Sequence, residues 1–286
     1  MNYLTMKNLL TSILSILMLG VVAQDYSVKE LFHKMDSSIT ANTEVEFTFL
    51  KKERIEDRYE YSTSEVKVQN NEKLSVYMRS NTPRDGLEIL YREGENDGDV
   101  LINTNSFPYI NMNLDPMGDL IRTDQHHTIQ DLGFFTIQGI VRNFTESMGD
   151  SLEKYIERHP DHTWDGRDCF KIMVNYTDFG YFEYTVKEDE DVDDIANKFH
   201  VNAYMILEKN KDVDDYDDVD EGEVILVPNL YAKKCEIFID KETFLPIRQV
   251  IYDDKGLYEK FEYKNVNVNP KFEVDEMKET YAMYGF

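Results

Sequence analysis

The stretch Val45-Glu46-Phe47-Thr48-Phe49-Leu50 decides the fold, because apolar and polar side chains alternate along it. An alternation with period two predicts a β-strand that buries one face and leaves the other wetter. Runs of the same kind follow at residues 59–68, 74–78 and 87–91. Turn-forming residues separate these runs at 70–71, 83–86 and 94–98. The region therefore predicts an antiparallel meander.

Helical patterns interrupt the strands. Ser27 and Glu30 match a capping box, and apolar residues at helical spacing continue to Ile39. Helical spacing returns between residues 129 and 155. Further strands are predicted at residues 169–176, 234–239, 247–252 and 258–268. We therefore expect an α+β fold, with one long antiparallel sheet and helices on one side of it.

The first 23 residues predict a secretory signal. Lys7 precedes an apolar run over residues 9–22, and Val21-Val22-Ala23 offers a small-residue cleavage site. The run is shorter than the roughly 20 residues that cross a bilayer. We therefore expect the signal at 1–23 to be removed, with no integral membrane segment afterwards; a retained anchor is the alternative. Export predicts a location in the periplasm or the outer cell envelope.

The charge of the chain limits its partners. It has 31 basic and 56 acidic residues, which give a net charge of −25 at pH 7. Such a charge repels nucleic acid and anionic membrane surfaces. We therefore expect no nucleic-acid partner.

Two cysteines, Cys169 and Cys235, lie in β-like runs. An oxidising compartment favours a disulfide, but the sequence does not give the separation of the two Cα atoms that a bridge requires. A disulfide and two free buried thiols both remain open. No Cys-His motif surrounds either residue, which argues against a catalytic thiol.

Between residues 184 and 228 the composition shifts to 15 acidic residues and four lysines, a net charge of −11. This segment resembles a LysM domain in Tyr184-Thr185-Val186-Lys187, Ile195-Ala196, Ile206-Leu207, Asn210 and Gly222-Glu223-Val224-Ile225-Leu226-Val227-Pro228. The resemblance implies a small βααβ LysM insert over residues 182–230. The host domain would then be discontinuous, with residues 24–181 and 231–286.

LysM domains typically bind the N-acetylglucosamine backbone of glycans, so the resemblance implies that this chain contacts peptidoglycan or another GlcNAc-containing glycan. The binding loops carry over to Asp189, Glu190 and Asp191 after the first strand, and to Asn210 and Lys211 after the second helix. The acidic triplet replaces the family's Gly-Asp-Thr and removes the glycine that permits close backbone approach. Glycan binding and a module retained for packing or protein contact both remain open.

The host segments resemble the outer-membrane lipoprotein carrier (LolA-like) superfamily. The resemblance is carried by residues 74–78, 84–91, 94–98, 114–118, 238–246 and 252–256. It implies a half-barrel-like sheet with a helical lid, whose concavity holds a lipid or lipopeptide. By strand alternation, the inner face of that concavity would carry Phe47, Phe49, Val76, Met78, Ile89 and Tyr91. The alternative is that these side chains simply fill a core.

Other polar groups give weaker signals. Adjacent histidines on a strand point to opposite faces of the sheet, so His126 and His127 would not bind one metal ion together. No third ligand follows them at a spacing typical of metal sites. We therefore interpret both histidines as surface residues. The acidic stretch 212–223 has its glycine in the wrong place for an EF-hand, and we interpret it as a solvated loop. No Gly-x-Ser-x-Gly, His-Glu-x-x-His or phosphate-binding loop occurs.

The sequence therefore predicts an exported binding protein of the cell envelope that is not an enzyme and needs no cofactor or metal. It would hold a lipid or lipopeptide in the half-barrel and contact peptidoglycan through the insert. One alternative is a structural protein with a filled barrel and a LysM module that binds no glycan. The other is a wall-active enzyme with an unrecognised site.

Overall fold

The computed structural model describes residues 26–107 and 109–286. The predicted signal, residues 1–23, lies outside the described residues. The helices are α1 Val28–Ala41, α2 Asp119–Arg122, α3 Phe135–Met148, α4 Leu152–Tyr155, α5 Val192–Phe199 and α6 Ala203–Lys209. The first strands are β1 Glu44–Ile55, β2 Arg58–Asn70, β3 Leu74–Thr82, β4 Glu88–Arg92, β5 Val100–Asn103 and β6 Asn111–Leu114. The later strands are β7 Ile156–Trp164, β8 Arg167–Asn175, β9 Tyr181–Thr185, β10 Val224–Pro228, β11 Lys234–Asp240, β12 Pro246–Tyr252 and β13 Leu257–Val268.

The host is one 11-stranded sheet in the order β6-β5-β4-β3-β2-β1-β13-β12-β11-β8-β7. All of its neighbouring strands are antiparallel. The first four strands form the predicted meander, β5 and β6 extend it beyond the predicted runs, and β13 returns beside β1 to join it to the later strands. The expected α+β class is confirmed, with a large open antiparallel sheet and few helices.

The helix predicted from Ser27 onward forms as α1. Ser27 accepts a hydrogen bond from the backbone N–H of Glu30, and the Glu30 carboxylate accepts one from the backbone N–H of Ser27. This reciprocal capping stabilises the first turn of a helix. The buried face of α1 is Leu31, Phe32, Met35 and Ile39, and it shares one core with inner-face strand residues and with α3.

Strand β7 was not predicted from the sequence. It is an edge strand, its outward side chains are mostly exposed, and Pro160 lies where its pairing with β8 shifts register. Charged residues, proline and bulges are the features that keep an edge strand from pairing with other chains. These features also remove the alternating apolar pattern by which strands are recognised in a sequence.

Residues 181–228 fold as a strand–helix–helix–strand module, with β9 and β10 paired antiparallel. A core separate from that of the host holds the module together: Val186, Val192, Ile195, Ala196, Val201, Ala203, Ile206, Val213, Ile225 and Val227. The acidic stretch 212–223 is the loop between α6 and β10. The assignment of this module as a LysM domain stays a prediction.

The two cysteines are both free and buried. Cys169 pairs with Asp240 across β8 and β11, whereas Cys235 pairs with Val174. Five residues of strand separate the two pairs, about 17 Å at the usual rise of a strand, and the odd number places the thiols on opposite faces. A disulfide is thus excluded by register, which the sequence did not reveal. Burial raises the pKa of Cys169 to about 12, and that of Cys235 also lies well above its usual range.

Candidate functional site

A cavity of about 530 Å³ lies on the inner face of the sheet. Its lining comes from eight strands, β1 to β6 with β12 and β13, and from α2, α3 and the connection between them. Since strands from both ends of this run face one space, the sheet curves around it. The volume falls in the usual range for small-molecule sites, which is roughly 300–1,000 Å³.

One side of the cavity is apolar. Its walls, on β3 to β6 and on α2 and α3, are formed by Met78, Ile89, Ile102, Met112, Leu114, Ile121, Ile137 and Ile140. Leu120 of α2 also faces the cavity, although 72% of its surface is exposed. The apolar wall therefore extends to the surface at Leu120.

The six residues predicted for the concavity divide into two sets. Phe49, Met78 and Ile89 line the cavity. Phe47, Val76 and Tyr91 are buried in the host core and do not line it. Alternation along a strand places residues on a face but does not say where helices cover that face. The second set packs where the core is filled.

The other side of the cavity is polar and is centred on Glu259 of β13. The Tyr231 hydroxyl donates to Glu259 Oε1 over 2.6 Å, and His127 Nε2 lies 3.3 Å from Oε2. On its far side, His127 Nδ1 lies 3.5 Å from an Asp131 carboxylate oxygen. Lys51 also lines this end, with its ammonium 3.2 Å from Gln125 Oε1.

The charges of this polar end stabilise one another. Burial alone would lower the pKa of His127, but the charge of Glu259 and the hydrogen bond with Asp131 outweigh it and raise that pKa to about 10. Burial would raise the pKa of Glu259, yet the charge of His127 and a hydrogen bond from His126 hold it at about 2. His127 is therefore an imidazolium between two carboxylates at neutral pH.

Gln249 of β12 adds an unused acceptor to the same lining. Its side chain is 1% exposed, and its Nε2 donates to the carbonyl of Pro246. Its Oε1 has no hydrogen-bond partner among the residues that the structure describes. A buried acceptor without a donor is unfavourable. A donor on a ligand in the cavity would satisfy it.

The interpretation of the two histidines as surface residues was wrong. His126 is 5% exposed, and its ring stacks between Tyr204 and Tyr258 at centroid distances of 4.7 and 4.2 Å. Both histidines lie in the connection after α2, not in a strand, so both rings reach Glu259. No spacing in the sequence indicated this, because Glu259 follows more than a hundred residues later.

The residues predicted to bind glycan are largely used by the module itself. Asn210 accepts from the Leu226 backbone N–H over 2.8 Å and donates to the Leu226 carbonyl over 2.9 Å. Glu190 accepts from Tyr184 and Lys198, over 2.6 and 2.7 Å. These side chains connect α6 to β10 and the first loop to α5.

The two remaining acidic positions and the lysine differ in their environment. Asp191 caps α5 by accepting from the Asp194 backbone N–H over 2.7 Å. Asp189 has a positive φ of 59°, which is the left-handed conformation that the family's glycine would adopt freely. Lys211 is exposed.

The module contacts the host beside the histidines. Arg54 of β1 donates to Glu208 of α6 over 3.0 Å and to both oxygens of Asp253 at the β12–β13 turn. Asn202 accepts from the Tyr258 hydroxyl over 2.8 Å, and Arg122 pairs with Asp193 through two nitrogens. The module therefore covers the end of the sheet behind His126.

Comparison with solved structures finds similar chains at low identity. MucB is 12% identical with a TM-score of 0.44, over 87% of this chain and 62% of MucB, so this chain spans less than two thirds of that protein. The lipoprotein LppX from Mycobacterium tuberculosis is 11% identical with a TM-score of 0.41, over 87% of this chain and all (100%) of LppX. A LolA superfamily protein from Nitrosomonas europaea is 11% identical with a TM-score of 0.30, over 85% and 94%.

All three TM-scores lie below 0.5, so the assignment of the architecture rests on the strand order and the cavity. No protein of curated function matches the sequence. Within residues 26–107 and 109–286, no helix has both the length and the apolarity for crossing a membrane.

One family model matches the sequence over residues 43–186, which is about half of the chain and ends where the module begins. Its description is a protein of unknown function, DUF1571. The matched part contains the meander, α3, both histidines and Glu53, but not Glu259. The chain belongs to the DUF1571 family.

Proposed function

We propose that this protein is an exported binding protein of the cell envelope that holds the acyl chain of a lipid or lipopeptide in its cavity. The observation that supports the proposal most directly is the cavity itself. It combines an aliphatic wall with polar groups that include Lys51, His127 and Gln249. Ligand sites are commonly apolar clefts with a few convergent polar groups.

The distribution of polar groups orients the ligand. An acyl chain along Met78, Ile89 and Ile137 would bring a polar headgroup to Lys51 and His127, which carry positive charge. A headgroup with a hydrogen-bond acceptor is favoured there, because the Lys51 ammonium has three N–H donors and contacts only Glu53 and Gln125 among the described residues of this end. The exposed Leu120 lies where the chain would enter. Nothing in this arrangement requires bond cleavage, so the proposed activity is binding and not catalysis.

The test is binding of a fluorescent long-chain fatty acid to the purified protein, with solvent extraction and mass spectrometry of any acyl species that copurifies. Ile89→Trp places an indole in the cavity, and we expect it to weaken binding at least tenfold, or about 1.4 kcal/mol. Ile110→Trp is the matched control, because Ile110 is 48% exposed and outside the lining. We expect its affinity to equal that of the wild type.

A second measurement tests the orientation of the ligand. Lys51→Met should weaken binding of the fatty acid more than binding of its uncharged methyl ester. If the wild-type protein does not bind the fatty acid, or if Ile89→Trp binds it as tightly as the wild type, the cavity is not a site for acyl chains. The structural protein with a filled barrel would then be the better description.

Contact with peptidoglycan through the module remains a prediction. The hydrogen bonds of Glu190 and Asn210 within the module, together with its acidic loops, weigh against it, because peptidoglycan also carries carboxylates. Co-sedimentation with purified sacculi at two salt concentrations decides the matter. Binding that persists at high salt and disappears when residues 182–230 are replaced by a short turn would support it.

A further inference from the structure

Glu53 is a buried carboxylate that acyl-chain binding does not explain. It is fully buried on the inner face of β1, directly opposite Glu259 in the β1–β13 ladder. Neither of its carboxylate oxygens has a hydrogen-bond partner in the part of the chain that the structure describes. The Lys51 ammonium lies 2.8 Å from Oε2 as an ion-pair contact, and Oε1 has no such contact. Two carboxylates directly opposite each other repel; Lys51 balances Glu53 and His127 balances Glu259, and a cation between the two carboxylates would be attracted to both.

The ring of His126 is oriented as a metal ligand would be. Its Nε2 lies 2.8 Å from the carbonyl oxygen of Arg54. A carbonyl only accepts, so Nε2 donates to it, and Nδ1, which donates to Glu259 Oε2 over 3.0 Å, is the nitrogen whose proton a metal ion would replace. An N–H to a backbone carbonyl on the far nitrogen is the usual way in which a protein fixes a histidine that binds metal through the other nitrogen.

The three side chains converge. One ligand atom each from Glu53, His126 and Glu259 lies within 4.8 Å of the other two. Ligand atoms that bind a Zn²⁺ ion at about 2.0–2.2 Å in tetrahedral geometry are roughly 3.4 Å from one another. Small side-chain movements would therefore bring the three ligand atoms to that spacing. One imidazole with two carboxylates suits Zn²⁺ and similar first-row ions better than Mg²⁺ or Ca²⁺, which prefer oxygen alone.

We propose that Glu53, His126 and Glu259 form a binding site for one divalent transition-metal ion beside the polar end of the cavity, which Glu259 lines. Tyr231 holds Glu259 through Oε1, and Oε2, which faces both His126 Nδ1 and His127 Nε2, is the oxygen that would bind the ion. Lys51 is the cation that the ion would displace from Glu53, and its side chain has room to turn into the cavity that it lines.

The experiment is equilibrium dialysis of the whole protein against Zn²⁺ without any acyl ligand, so that its outcome is independent of the proposed lipid binding. Millimolar Mg²⁺ is included because a chain of net charge −25 binds cations weakly over its surface. We expect one Zn²⁺ per chain, and Co²⁺ at the same site should give visible absorption bands.

Two variants and a control make the test specific. Glu53→Gln keeps the shape of the side chain and should weaken Zn²⁺ binding at least tenfold. Lys51→Gln should strengthen it, because the competing ammonium is gone. Glu72→Gln makes the same change as the first variant at an exposed turn and should bind like the wild type.

Thermal unfolding without metal shows whether each variant is folded. The proposal would be overturned if the wild-type protein retained no Zn²⁺ in the presence of Mg²⁺. It would also be overturned if Glu53→Gln bound Zn²⁺ as tightly as the wild type. The cluster would then be an ion-pair network in which Lys51 is the permanent partner of Glu53.

Discussion

The host sheet and the inserted module differ in how completely their interiors are packed. The host leaves a cavity of about 530 Å³ beside its core and places charged groups at one end of it. The module closes ten buried residues around themselves, and the polar side chains of its two loops bond within it. A core that is already filled has little room for a ligand. An unfilled core with polar groups at one end has room for a ligand, and those polar groups can orient it. This difference is the reason for which we propose ligand binding in the host and not in the core of the module.

Arg54 joins the two regions, and its loss should have the largest effect. Arg54→Met leaves Glu208 and Asp253 buried without their guanidinium partner, and removal of one member of a buried ion pair typically costs about 3–5 kcal/mol. We expect the free energy of unfolding in urea to fall by that amount and the module to become sensitive to protease.

Arg58→Met is the control for this change. Arg58 pairs with Glu60 and Asp124 at the surface, where an ion pair is worth about 0.2–1 kcal/mol. Equal losses in the two variants would mean that Arg54 does not hold the module to the sheet.

An isoleucine-to-alanine substitution in the module and one in the host compare how tightly the two interiors are packed. Ile195→Ala opens a new cavity in the module, because Ile195 is 0% exposed, and should lower the free energy of unfolding by about 2–5 kcal/mol. Ile89→Ala enlarges a cavity that already exists, and about 1 kcal/mol of lost apolar burial is expected. Urea denaturation of both variants gives the comparison. A larger loss for Ile89→Ala would contradict it.

The smallest expected effect is a pH dependence in the module. The hydrogen bond from Lys198 and that from the Tyr184 hydroxyl hold the pKa of Glu190 at about 2, below its ordinary 4.5. Because the folded pKa is lower than the unfolded one, this carboxylate stabilises the module fully above about pH 4.5, and the contribution is lost as the pH falls towards 2.

The measurement is the thermal unfolding midpoint of the wild type and of Glu190→Gln at pH 6 and at pH 3. The difference between the two proteins should shrink at pH 3. Lys198→Met should reduce the pH dependence in the same way, because it removes the main partner of Glu190. A difference that is independent of pH would mean that Glu190 ionises as it does in the unfolded chain.

The strands and helices of this protein were predictable where one face is buried and the other is wet. The alternation through Phe47 and Phe49 and the capping box of Ser27 are local signals, and both elements form as expected. Strand β7 was missed because its edge position replaces that alternation with charge and proline. The inner face was also predicted, since alternation places Met78 and Ile89 on it, but the filled part at Phe47 and Val76 was not distinguished from the cavity.

The sequence by itself determined what depends on neighbours along the chain: the α+β class, the antiparallel meander, the acidic module and the side of β1, β3 and β4 that faces inward. Only the tertiary structure decided what depends on residues far apart in the chain. Register separated Cys169 from Cys235, and pairing of the first long strand with the last brought Glu53 opposite Glu259. The connection after α2 then brought His126 and His127 to them, although no local pattern in the chain relates these four residues.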